Sequence, residues 1–187
     1  MRLVVFGWGN ESRGDDGLGP MLLRRVEAER FPGVRTVEDY QLQIEHALDV
    51  DDADMLLFID AARRGPAPFG FTEIGPRQEI TPSTHALSPE SLLDIYARVL
   101  KSQPPPAFVL AVRGESFGLG EGLSSDGAER LELAWAFLSE LMATRRVAAW
   151  RSEANPSESA VMASSIASSG ADPMRPGAGY ASLASAG

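Results

Sequence analysis

The chain has 187 residues, 44% of them hydrophobic, with no cysteine and a formal net charge of -9. This is enough for one domain with a real core, and it excludes thiol catalysis, disulfides and thiolate metal sites. The acidic balance argues against a nucleic-acid partner.

Residues 2–6 form a short apolar, β-branched run closed by Gly7, the pattern of a buried first strand. The run is too short for a signal peptide or a membrane span, so the protein is expected in the cytoplasm, away from membranes. Leu18, Met21, Leu22 and Val26 have helical spacing and predict a helix over 17–31. A second strand is expected over 34–40, a short helix over 44–50, and a central buried strand over 55–59 that ends at Asp60. Residues 69–74 alternate between Gly and Pro punctuation and read as an edge strand, with an antiparallel course open to it. Ser88 and Pro89 open a helix over 88–101 as N-cap and first helical residue. Residues 108–112 form the last strand. Asp126 and Glu129 have capping spacing ahead of a long helix to about 146.

Strands alternating with helices predict an α/β fold, a three-layer arrangement with a mostly parallel twisted sheet between helices. From about residue 149 the composition turns to Ser, Ala, Gly and Pro. Such a segment buries too little to offset its ordering entropy. The expected division is therefore a domain over 1–148 and a disordered tail over 149–187.

The loop after the first strand runs Gly7-Trp8-Gly9-Asn10-Glu11-Ser12-Arg13-Gly14-Asp15-Asp16-Gly17-Leu18-Gly19. A dinucleotide fingerprint requires a third glycine where Ser12 stands. A P-loop requires Lys and Ser or Thr where Asp15 and Asp16 stand. Two carboxylates at a helix start repel a phosphate by about 1 kcal/mol in water at contact range, and more when partly buried. No nucleotide is expected. Asp15 is expected to cap the helix start. Asp16 is then spare, at the carboxyl end of a parallel strand, where α/β sheets place their sites, and a spare carboxylate there suggests a cation.

Asp60 ends the central strand and points to the same crevice; capping the turn that follows is the even-weighted competing reading. The chain has two histidines. His85 precedes the capped helix, whereas His46 sits in a short helical segment and is read as a surface or packing residue. Asp16, Asp60 and His85 together make an incomplete coordination set for a divalent metal. No nucleophile elbow accompanies either histidine, and there is no H-E-x-x-H, so neither a serine triad nor an ordinary zinc protease is indicated.

Four segments carry a resemblance. Gly7-x-Gly9-Asn10 with Arg13-Gly14-Asp15-Asp16-Gly17-x-Gly19, then Phe58-Ile59-Asp60-Ala61, then His85-Ala86-Leu87-Ser88-Pro89-Glu90-Ser91-Leu92-Leu93, then Gly114-Glu115-Ser116 with Gly122-Leu123-Ser124, resemble in order the conserved segments of the hydrogenase maturation endopeptidase family. The first loop is the specific element, and the likeness runs from residue 1 to about 140. The resemblance implies the phosphorylase/hydrolase-like fold of that family. It also implies removal of a C-terminal peptide from the large-subunit precursor of a nickel-iron hydrogenase, with nickel carried by the precursor. The metal-contacting and catalytic trio would fall on Asp16, Asp60 and His85. Trp8 departs from the small or aliphatic residue expected there, and the tail has no family counterpart. The alternative is a non-proteolytic, nickel-dependent binding module or chaperone for the same precursor.

Overall fold

The computed structural model describes residues 1–78 and 87–154. Its sheet has five strands in the order β2-β1-β3-β5-β4. They are β1 (Leu3–Trp8), β2 (Val34–Asp39), β3 (Met55–Ala62), β4 (Phe69–Ile74) and β5 (Ala107–Arg113). β1 pairs in parallel with β2 and β3, and β3 with β5. β4 runs antiparallel to β5 at the sheet edge, as its framing by Gly and Pro suggested.

The helices are α1 (Leu18–Glu29), α2 (Ala47–Val50), α3 (Pro89–Leu100), α4 (Ser125–Thr144) and α5 (Val147–Glu153). Short 3-10 turns over Gly14–Gly17 and Ile44–His46 lead into α1 and α2. The two-residue period of a strand divides the core between the two faces of the sheet. Leu3 and Val5 of β1, Leu57 and Ile59 of β3, and Leu110 of β5 pack on α1 and α4. Val4, Phe6, Leu56, Phe58 and Val109 pack toward α2 and α3. The three-layer α/β arrangement follows, with β1, β3 and β5 buried on both faces.

Caps set the helix entries. The Ser88 hydroxyl accepts the Ser91 N–H (3.2 Å), with Pro89 in the first turn of α3. At α4 the cap is Ser124, which accepts the Gly127 N–H (2.9 Å). The expected Asp126 cap is not used; that side chain lies inside the first turn, where it suits the helix dipole and pairs with Arg130 (3.2 Å). Both sheet edges carry ion pairs to flanking elements. On β2, Arg35 pairs with Asp49 (2.7 Å) and Glu38 with Arg24 (2.9 Å); on β4, Glu73 pairs with Arg151 of α5 (2.7 Å).

The folded domain does not end at residue 148. α5 continues it, and Trp150 is 0% exposed, edge-on to Phe71 (5.9 Å) and Phe108 (5.3 Å), with its indole N–H on the Leu141 carbonyl (3.1 Å). One large aromatic outweighs the Ser- and Ala-rich composition around it, because a buried indole removes a large apolar area from water and finds a partner for its N–H. The remainder of the expected tail, residues 155–187, lies outside the described residues. Trp150→Ala is expected to cost about 3–5 kcal/mol. A chain cut after residue 148 should show a comparable loss in denaturant melts, whereas equal stability would mean that α5 does not belong to the core.

Candidate active site

The chain leaves β1 for one edge of the sheet, to β2, and leaves β3 for the other, to β4 and β5. The carboxyl ends of β1 and β3 are therefore the topological switch point, where an open α/β sheet forms its crevice. Asp60 does not terminate its strand. β3 runs on to Ala62 because β5 continues to pair with it, through Asp60 to Ala111 and Ala62 to Arg113, while pairing with β1 stops at Ile59. Asp60 is thus held on one side by β5 and faces the gap left by β1 on the other.

The loop from Gly9 to Gly19 closes over that gap, and two glycines permit it. Gly9 has φ +139°, and a Cβ there would lie 1.9 Å from the Asp16 carbonyl oxygen. At Gly19 a Cβ would lie 2.5 Å from the Trp8 carbonyl oxygen and 2.8 Å from that of Ile59. The start of α1 rests directly on the ends of β1 and β3, and Asp16 is brought within electrostatic reach of Asp60.

The two neighbouring aspartates do different work. Asp15, 0% exposed, was expected to cap its own helix but makes no such contact. Its carboxylate accepts the backbone N–H groups of Glu115 (2.7 Å), Ser116 (3.1 Å) and Ser124 (2.8 Å), and the Ser124 hydroxyl (2.7 Å). Burial by itself would raise its pKa; these bonds more than offset it and hold the group below the ordinary carboxylate range. Among the described residues, Asp16 accepts the Asn10 N–H (3.0 Å). Burial pushes its pKa up, and Asn10, Arg13 and Arg63 offset part of the rise.

Asp60 is 1% exposed. One oxygen accepts the N–H of Ala61 (2.7 Å); the other, Oδ2, is buried with no hydrogen-bond partner among the described residues. Burial drives its pKa well above the ordinary range. The Ala61 N–H opposes that rise, the charge on Asp16 adds to it, and Trp8 offsets a little more. Trp8 is nearly buried and meets Phe58 edge-on (6.2 Å), so the bulky residue that departed from expectation forms a wall beside the carboxyl.

Asp16 and Asp60 are thus brought together, whereas His85 lies outside the described residues. Among the described residues no group of three His, Asp or Glu is placed to hold a metal. His46 is a packing residue: its ring meets Phe6 edge-on (5.9 Å), and Nδ1 accepts the Gln43 N–H (2.9 Å). Two contributors were not singled out from the sequence, Arg13 and Arg63, which stand three residues before Asp16 and three after Asp60. That shared spacing was the available signal, but nothing in it marks which arginine faces a crevice.

The aspartates predict opposite pH signatures. A lowered folded pKa means that Asp15 stabilises the fold above the unfolded carboxylate range, a contribution lost as pH falls through and below that range. Asp15→Asn should cost roughly 3 kcal/mol at neutral pH, with the gap to wild type closing below about pH 4. A raised folded pKa means that Asp60 loses stability as pH rises from the unfolded value toward its folded one. Asp60→Asn should therefore melt higher than wild type at neutral pH, by about 1–3 kcal/mol, with the gain vanishing in acid. Thermal melts across pH check both; parallel curves for either variant would overturn the corresponding assignment.

Neither a protein-family model nor a curated protein matches the chain in sequence. Solved structures do match. The NiFe hydrogenase maturation protease HycI from Thermococcus kodakarensis KOD1 is 22% identical with a TM-score of 0.59, covering 76% of this chain and 92% of its own. The hydrogenase maturating endopeptidase HybD from E. coli is 22% identical with a TM-score of 0.59, covering 77% and 94%. The endopeptidase HycI from Escherichia coli is 20% identical with a TM-score of 0.57, covering 75% and 91%. The chain adopts the fold of the hydrogenase maturation proteases.

Proposed function

We propose that this protein is a hydrogenase maturation endopeptidase, which removes a C-terminal peptide from the nickel-loaded large-subunit precursor of a nickel-iron hydrogenase. One observation carries the reading. At the switch-point crevice of a fold shared with such peptidases, a buried carboxyl oxygen of Asp60 lacks a hydrogen-bond partner among the described residues and lies within reach of the charge on Asp16. A carboxylate pair in that state is unfavourable unless a cation neutralises it. Two carboxylates with the imidazole of His85 form a donor set of the kind divalent nickel accepts, so the metal in the precursor would certify that the client is ready to be cut.

In hydrolysis the more open carboxylate, Asp16, takes a proton from the attacking water. Asp60, fixed between β5 and the Ala61 N–H, keeps its oxygens where the client's metal is read. No helix among the described residues is long and apolar enough to cross a membrane.

The test is incubation with large-subunit precursor, nickel-loaded and nickel-free, followed by intact-mass measurement. A defined C-terminal peptide should be lost from the nickel-loaded form alone. Asp16→Asn, Asp60→Asn and His85→Ala should each slow its release by about 100-fold or more. Precursor that binds without being cut would replace the peptidase with a nickel-dependent binding module; precursor that neither binds nor is cut would overturn the client.

A further inference from the structure

Three side chains stand in one row across the carboxyl end of the sheet. β1 and β2 pair Trp8 with Asp39, and the last pair of β1 with β3 is Gly7 with Ile59, so Asp60 is the neighbour of Trp8 on its other side. Residues in register on parallel strands share a face, and the two-residue period carries that face along each strand. Phe6, Trp8 and Phe58 all belong to the core toward α2 and α3. Asp60, two residues beyond Phe58, faces the same way. The indole therefore stands between two carboxylates.

Those carboxylates differ in what they still need. Asp39 accepts the Tyr40 N–H on Oδ1 (2.6 Å) and has Oδ2 3.5 Å from Nε2 of His46. Asp60 has Oδ1 on the Ala61 N–H (2.7 Å), while its Oδ2 is buried with no hydrogen-bond partner among the described residues. An indole brings one N–H donor and no acceptor. It acts on the Asp60 carboxyl as a donor without closing a hydrogen bond on Oδ2.

Trp8 is itself held in place. It is 7% exposed, and its ring meets Phe58 edge-on; Phe58 in turn stacks on Phe6 (4.9 Å), which meets His46. Such a cluster fixes the plane of the ring and so the direction of its N–H. A carboxylate free to turn presents its oxygens in many directions. One that is pinned at Oδ1 by Ala61 and flanked by a fixed indole keeps Oδ2 turned to the crevice. Carboxylates that bind metals are oriented in this way by donors outside the ligand set. A small or aliphatic residue at position 8 would supply neither the donor nor the wall.

We propose that Trp8 is a positioning residue, whose fixed indole holds the Asp60 carboxylate toward the client's metal and so sets how sharply the protein distinguishes nickel-loaded from nickel-free precursor. The role rests on the reading of the client's metal proposed above. It adds a residue outside the Asp16, Asp60 and His85 trio that acts through one member of it.

The experiment compares the affinities of the full chain for nickel-loaded and nickel-free precursor. Half-saturation of single-turnover cleavage gives the first, with direct binding for any protein that does not cut, and direct binding gives the second. Trp8→Phe keeps an aromatic wall and removes the N–H. It should lower the nickel preference by about tenfold or more, with the affinity for nickel-free precursor unchanged. Asp60→Asn should lower the preference too, and Trp8→Phe should lower it no further in that background, because the two act as one unit. Should Trp8→Phe fail to fold, Trp8→Met fills the space with another side chain that lacks a donor and should show the same loss. An unchanged nickel preference in the folded variant would overturn the proposal, as would equal weakening toward both precursors, or additive losses in the double variant. Wild-type protein that prefers nickel-loaded precursor but leaves it intact would overturn the peptidase reading alone, and the variants still decide the role of Trp8. Wild-type protein with no nickel preference would overturn both.

Discussion

An ionised carboxylate that has left water must find donors for its oxygens, and Asp15 finds them on a loop one hundred residues further along the chain. Three backbone N–H groups and a hydroxyl converge on it. This contact fastens the end of β5 to the start of α1 and places the entry of α4. The same Ser124 hydroxyl that donates to Asp15 accepts the Gly127 N–H, so helix cap and buried anion form one network. Backbone bonds between the same two segments, Asp15 N–H to the Ser116 carbonyl (2.8 Å) and Gly14 N–H to the Glu121 carbonyl (3.1 Å), add to the hold on the glycine-rich first loop.

Adjacent residues of one type have therefore been given opposite fates by their surroundings. Asp15 is saturated with donors and belongs to the architecture. Among the described residues Asp16, one residue on, has one backbone donor, and it faces a second carboxyl whose outer oxygen has none. Conflict of that kind is expected where a fold gives up stability to do chemistry. The scaffold tolerates it because Gly9 and Gly19 let backbone meet backbone at distances no side chain would allow.

Strand and helix existence was legible because the signals were strong and local: continuous apolar runs for β1 and β3, the Ser88-Pro89 opening of α3, and Gly and Pro framing for β4. That Asp16 and Asp60 lie at one end of the sheet could be read from the sequence because the α/β pattern makes β1 and β3 parallel. What escaped depended on distant partners. Asp15 was read as a local cap since its real donors are on another loop, and β3 outran its apolar run because β5 supplies pairing as far as Ala62. Trp150 sits in a segment whose composition speaks for disorder, and only the tertiary ring cluster around it overrides that. Arg63 and Arg64 are adjacent and alike in type, and the sequence does not say that Arg63 is the one whose guanidinium comes to lie over the ring of Phe117.

The two edges of the sheet also bear on how the molecule keeps company. An open edge strand offers unpaired backbone groups to any extended chain, its own copies included. Here Arg35 and Glu38 on β2, and Glu73 on β4, are tethered to charges on neighbouring elements. A chain adding to either edge would have to pull these pairs apart and leave charges in a poorly hydrated seam. A fold that opens a crevice at one end of its sheet is thereby guarded along its flanks against pairing with an extended chain or with another copy of itself.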